Sequence, residues 1–306
     1  MNTIAYVFTG LKDFEDRGEP ERLIRRLNAL QLIKVSVQPF GTEGFGSVTF
    51  DCDSEAVGRL HDLLDARGIQ HSTRWETRYS NVELDGAQLL DVSLDLAPSA
   101  DLTGDIGISL AEPGICPECW SGARVVPPAS IEIERLALRH PINQTNDNRL
   151  FVDDGVRARL IESGAGESDF LEVAAVAESS RQDMGTFHII QPLAVLPPLD
   201  VSTRGLIRSG NPQDAPCARC SRDGFYHTPN EPFLPVLKVA NIKSLLADSE
   251  SRPFLARTWE CYGIGRRPGR PRSDPPVSGL VINQAARQVL RKCCKARFRW
   301  TPIALI

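Results

Sequence analysis

The sequence predicts an α+β protein in two parts, and three observations carry that prediction. The first eighty residues alternate as strand, helix, strand, strand, helix, strand; a strand–helix–strand pattern occurs twice in the remainder; and two CxxC pairs lie in turn-forming contexts.

The N-terminal elements follow in order. Thr3 to Phe8 is a short apolar run, read as a strand. Glu19 to Leu30 places Leu23, Leu27 and Leu30 at helical spacing, and Ile33 to Val37 alternates as a half-buried strand does. Ser47 to Phe50 alternates again, Asp53 and Ser54 are cap candidates, and the helix from Glu55 to Arg67 carries Val57, Leu60, Leu63 and Leu64 on one face. Gly68 precedes a strand from Ile69 to Tyr79. The order is βαββαβ, the ferredoxin-like one, which predicts a four-stranded antiparallel sheet with both helices on one face. Asn81 to Asp95 reads as a short helix and strand leading out, so residues 1–98 form the first predicted domain and 99–306 the second.

Within the second part, residues 150–173 can be laid on 280–303 without gaps. Asp153 and Asp154 face Asn283 and Gln284, Arg157 faces Arg287, Leu160 faces Leu290, and Phe170 faces Trp300. Identities are few, so a duplication and two independent units of one binary pattern both account for the match. The prolines (Pro127-Pro128, Pro192 to Pro198, Pro229 to Pro235, Pro268 to Pro276) mark loops.

Composition bounds the function. Of 306 residues, 42% are hydrophobic and 24% charged, as in ordinary folded proteins. No run of apolar residues is long enough to span a membrane, and the N-terminus lacks the apolar core of a secretory signal, so a cytoplasmic protein is expected. The net charge of −4 hides a basic tail: Arg257 to Arg299 holds 11 Lys/Arg against Glu260 and Asp274, leaving the body acidic. Such a tail suits nucleic acid, an acidic partner or the body of its own chain. Its stretch Arg266 to Pro276 resembles an AT-hook, but Pro268 stands where the hook has Arg, and a solvated basic loop is the preferred reading.

Eight cysteines are present, and Cys116, Cys119, Cys217 and Cys220 form two CxxC pairs in the contexts GICPECWSGA and DAPCARCSRDG. A tight turn aims two thiolates at one point, and two such knuckles complete a Cys₄ shell for one structural zinc ion. Although 97 residues separate Cys119 from Cys217, a fold that brings the knuckles together would serve. Disulfides and free buried thiols are the competing readings. Cys293 and Cys294, flanked by Lys292 and Lys295, are a weaker candidate for a reactive pair.

No catalytic or phosphate-binding motif stands out. The histidines His61, His71, His140, His188 and His227 are scattered, and His227 alone lies near a CxxC pair as a substitute ligand. Asp153 and Asp154 read as a helix cap rather than an acid/base pair. The expectation is therefore a protein that is not an enzyme.

The run CARCSRDGFYHTPNEPFLPVL, Cys217 to Leu237, followed by LVINQAARQVL and RFRWTPI, resembles the C-terminal half of the bacterial double-CXXCG family. The similarity covers about residues 100–306, and the two CxxC pairs fall on the family's pairs, while the glycine after each is replaced by Trp120 and Ser221 and the βαββαβ region is extra. Members are regarded as immunity proteins against contact-delivered polymorphic toxins. The resemblance implies a non-enzymatic immunity protein that binds and neutralises a cognate toxin, with an acidic body suited to a basic partner. The acidic body is the first contact region the sequence offers, and the loop around Trp259 to Tyr262, expected to expose its aromatics, is the second. The alternative is a zinc-stabilised DNA-binding or regulatory protein using the basic 257–299 tail.

Overall fold

The computed structural model describes residues 2–10, 34–40, 45–94, 100–103, 107–109, 115–133, 140–177, 183–208, 215–228, 231–247, 254–262, 276–293 and 298–306. The helix expected over Glu19 to Leu30, the basic stretch up to Asp274 and Cys294 lie outside them. The chain is mixed α+β, mostly strand, in two compact units: residues 1–80 with 227–233, and residues 81–226 with 234–306.

In the first unit, β1 (Asn2–Gly10), β2 (Lys34–Phe40), β3 (Phe45–Asp53) and β4 (His71–Arg78) form a sheet in the order β2-β3-β1-β4, every neighbour antiparallel. Alternation places Ala5 and Val7, and Val48, Phe50 and Cys52, on one buried face. Against them lies α1 (Ser54–Asp65) through Ala56, Val57, Leu60 and Leu64. Its start is fixed by Asp53, whose carboxylate accepts from the backbone N–H of Glu55 at 3.0 Å and Ala56 at 2.8 Å. Its end is fixed by Gly68 at φ 62, a left-handed conformation that lets Ile69 N–H return to Leu64 O at 3.0 Å.

The second unit begins earlier than the sequence places it, at residue 81 rather than 99. The reason is β5 (Leu89–Leu94), whose Leu90, Val92 and Leu94 pack in one core with Ile142, Leu150 and Leu290 of this unit. After α2 (Asn81–Gly86) and β5 come β6 (Ala100–Thr103), β7 (Gly107–Ser109), β8 (Arg124–Val126), β9 (Ser130–Ile133), β10 (Ile142–Gln144), β11 (Leu150–Val152), α3 (Asp154–Glu162), β12 (Phe170–Ala177) and β13 (Asp183–Ile190). They are followed by β14 (Leu206–Arg208), β15 (Phe225–His227), β16 (Val236–Leu237), α4 (Val239–Ala247), β17 (Leu255–Tyr262), β18 (Val277–Asn283), α5 (Gln284–Cys293), β19 (Phe298–Pro302) and β20 (Ala304–Leu305). Two six-stranded sheets result, in the orders β10-β11-β13-β12-β9-β6 and β14-β15-β17-β18-β5-β19.

The strand–helix–strand match seen in the sequence has a structural counterpart. β11, α3 and β12 flank β13, and β18, α5 and β19 flank β5, each central strand being antiparallel to both neighbours. Phe151 and Leu171 both stand opposite Ile189; their aligned partners Val281 and Thr301 both stand opposite Asp91. The caps agree as well: Asp153 Oδ1 accepts from Val156 N–H at 2.8 Å, and Asn283 Oδ1 from Ala286 N–H at 3.0 Å. Val156 and Leu160 of α3 share one core with Ala286 and Leu290 of α5. A common binary pattern sets helix and strand but not register across an inserted strand, so these agreements favour duplication.

On the first of these sheets, Leu102, Ile131, Ile133, Leu171, Val173, Phe187 and Ile189 point to one core. The alternate positions carry Asp101 opposite Glu132, Glu132 opposite Val176, and Val176 opposite Asp183, with Glu172 further along β12. Asp101, Glu172 and Asp183 are exposed and Glu132 half-buried.

Candidate metal centre

Each CxxC pair closes a turn by the same backbone bond. Trp120 N–H donates to Cys116 O at 2.8 Å, and Ser221 N–H donates to Cys217 O at 2.8 Å. Both turns then need a left-handed residue, supplied by Trp120 at φ 63 and Ser221 at φ 54. Neither residue is glycine, so both turns hold this geometry at the cost of a strained backbone.

The turns bring all four sulfurs of Cys116, Cys119, Cys217 and Cys220 within 4.8 Å of one another. Cys119 and Cys220 are 3.4 Å apart, Cys116 and Cys217 3.8 Å. Four thiolates around one ion at about 2.3 Å require sulfur separations of roughly 3.8 Å, so the donor set and spacing fit a tetrahedral metal site. Cys116, Cys119 and Cys217 are buried and Cys220 half-buried.

β17 is the platform that unites the two turns. Arg257 Nη1 donates to Gly122 O beside the first at 2.8 Å. From the second, Arg222 Nε donates to Trp259 O at 2.9 Å, and Cys261 N–H returns to Arg222 O at 2.7 Å. Further bonds fix the thiols: Arg222 N–H points at Cys220 Sγ at 3.5 Å, the Cys119 thiol donates to Ser121 Oγ at 3.1 Å, and Asp223 Oδ1 accepts from Cys217 N–H at 2.9 Å. Arg222, Asp223 and Ser121 escaped the sequence reading, although Asp223 six residues after Cys217 is a usable cue.

Electrostatics divide the four thiols. Burial alone would raise Cys116, but backbone N–H groups of Cys119 and Glu118, with the neighbouring thiols, bring its pKa below the ordinary value. Burial pushes Cys119 well up and Cys220 up to about 11. A cation entering the cluster must therefore displace protons, which makes its affinity fall in acid.

The remaining candidates lie elsewhere. His227 is exposed, stacks on Phe233 at 4.6 Å and is not in the four-cysteine group. Asp153 caps α3 as expected, whereas Asp154 bonds His188 Nε2 at 2.6 Å. Cys293 Sγ accepts from Arg159 Nη1 at 3.6 Å. The segment Trp259 to Tyr262, expected to offer exposed aromatics, is instead strand: Glu260 and Cys261 are buried and Trp259 lies under the Arg222 guanidinium at 5.6 Å. Among the described residues, no helix is long and apolar enough to cross a membrane. No protein-family model, curated protein or solved structure matches the chain.

Proposed function

We propose that the chain is a zinc-stabilised immunity protein that neutralises a cognate toxin by stoichiometric binding in the cytoplasm, with a ferredoxin-like first unit. The observation that carries this reading is the convergence of two CxxC pairs, 97 residues apart in the chain, on one point. That is the arrangement the double-CXXCG resemblance requires. Four protein thiolates leave no position for water, so zinc held there stabilises the fold and does not catalyse. The strand order and antiparallel pairing of the first sheet support the ferredoxin-like reading.

The acidic row Asp101, Glu132 and Asp183, with Glu172 beside it, supports a basic partner such as a nuclease toxin, because charge complementarity steers and orients association. The nucleic-acid alternative keeps exposed Arg291 and Lys292 in the described part of the basic tail, but two other arginines there are engaged within the chain. Arg287 Nη1 bonds Asp85 at 2.6 Å and Arg257 is tied to Gly122.

Co-expression with a neighbouring gene product that stops growth when expressed alone tests the proposal. Growth should be rescued by the wild-type chain and lost with Asp101→Lys and Glu132→Lys combined, while the purified protein carries one zinc per chain. Rescue that fails with the wild type, or turnover of a substrate abolished by one side-chain change, overturns it.

A further inference from the structure

We propose that the cysteine cluster is also an oxidation site, at which Cys220 reacts with a hydroperoxide and Cys119 closes a disulfide on it, joining one knuckle to the other. The inference rests on the metal reading above and adds a way for the cluster to change state.

Access singles out Cys220. Relative exposure is 4% at Cys116, 0% at Cys119 and 6% at Cys217, whereas Cys220 is half-buried and open to a small oxidant. Distance singles out its partner: the Cys119 sulfur is 3.4 Å away in the opposite turn. The remaining two sulfurs, Cys116 and Cys217, lie 3.8 Å apart and also belong to different turns. A disulfide needs about 2.05 Å between sulfurs, so closure of the nearer pair asks for a shift of little more than about 1 Å. Other thiols have their own contacts: Cys261 Sγ lies 3.4 Å from Ser278 Oγ, and Cys293 Sγ takes a bond from Arg159.

The chemistry balances in two steps. Cys220 first gives up its proton to solvent; its thiolate then attacks the terminal oxygen of the hydroperoxide, the O–O bond breaks, the alkoxide takes up a proton and leaves as an alcohol, and Cys220 becomes a sulfenic acid. The Cys119 thiolate then attacks the Cys220 sulfur, the S–S bond forms as the S–O bond breaks, and hydroxide leaves with a proton as water. The thiol pair loses two electrons and the peroxide gains them. A second equivalent joins Cys116 to Cys217 in the same way. With no thiolate left, a bound cation departs, and two covalent links hold the two turns together in its place. Oxidation thus exchanges a metal clamp for a covalent one.

The test uses the full chain, zinc-loaded and chelator-stripped, treated with one and then two equivalents of hydrogen peroxide, blocked with N-ethylmaleimide and mapped by mass spectrometry. Cleavage after Arg219 by trypsin and after Glu118 by a Glu-specific protease separates all four cysteines. The expected first product is the Cys119–Cys220 disulfide, then Cys116–Cys217, with zinc release complete only after the second equivalent. Cys220→Ser should slow peroxide-driven release about tenfold or more. If that variant holds no zinc, the order of products in the wild-type chain decides. A first product within one turn (Cys116–Cys119 or Cys217–Cys220), over-oxidised Cys220 without a disulfide, or first reaction at Cys261 or Cys293 overturns the proposal. Absence of bound zinc in the untreated, reconstituted protein would instead sink the metal reading, and the stripped chain would still report the disulfides.

Discussion

Ser221 holds its turn at φ 54 without being glycine, and its side chain makes only a 3.4 Å bond to Cys217 O. Ser221→Gly should therefore stabilise the protein by about 1 kcal/mol, read from urea unfolding of the metal-loaded chain. Trp120 has the same backbone strain but is 8% exposed, so Trp120→Gly loses more packing than it relieves and should destabilise. Cys217→Ser should abolish stoichiometric zinc binding and lower the unfolding temperature, measured by metal analysis and calorimetry on one sample. Asp91 supplies a pH signature. Burial pushes its carboxyl up to about 7, above its unfolded value near 3.8. The folded state thus binds this proton more tightly, its contribution to stability is complete below about pH 4, and it is lost as pH rises through about 7. Asp91→Asn should flatten that segment of the stability–pH curve.

At the scale of elements, the aligned repeats predict responses in the same direction. Asp153→Ala removes the bond to Val156 N–H and should cost about 1 kcal/mol in chemical denaturation, whereas Asn283→Ala also removes the bond its Oδ1 accepts from Phe254 N–H at 3.0 Å and should cost about 2 kcal/mol. Gly279→Ala should cost about 1–3 kcal/mol, because its Cβ would meet Asp91 Oδ1 at 3.0 Å and Thr258 Cγ2 at 3.3 Å. The helices α3 and α5, their caps and their flanking strands were legible in the sequence because capping residues and apolar periodicity are local signals. The inserted strands were not. β13 follows its repeat directly, whereas β5 precedes its repeat by most of the chain, and no local pattern records which strand fills a gap. The metal ligands were legible as two CxxC turns. Their meeting was not, since it depends on Arg222 of the second turn docking on β17 and on Arg257 of β17 reaching Gly122 beside the first, and an arginine's partner is decided by tertiary structure. The same limit misassigned Trp259, an aromatic that reads as an exposed anchor until its covering guanidinium is known.

For the whole molecule, the two compact units divide the labour differently from a cut at residue 98, because 227–233 segregates with the first unit and 81–98 with the second. Deletion variants should respect this division. A chain beginning at residue 81 keeps β5 and should fold cooperatively by circular dichroism, whereas one beginning at residue 99 lacks the strand between β18 and β19 and should not. If the acidic row is the contact face, association with a basic partner should slow with added salt, by about tenfold or more in on-rate between low and physiological ionic strength, measured by stopped flow.

The placement of β5 also sets a timetable for synthesis. Leu89–Leu94 leaves the ribosome early, yet its neighbours on both sides are Val277–Asn283 and Phe298–Pro302. Both of its hydrogen-bonding edges must wait while nearly two hundred residues are translated, which at about 5–20 residues per second is some ten seconds or more. During that interval Cys116, Cys119, Cys217 and Cys220 have all emerged before either neighbour of β5, so metal capture can precede closure of the sheet. An ion taken up then would pin the two turns on the nascent chain and shorten the search that the last strands must make, giving the cluster a role in the order of folding as well as in its endpoint.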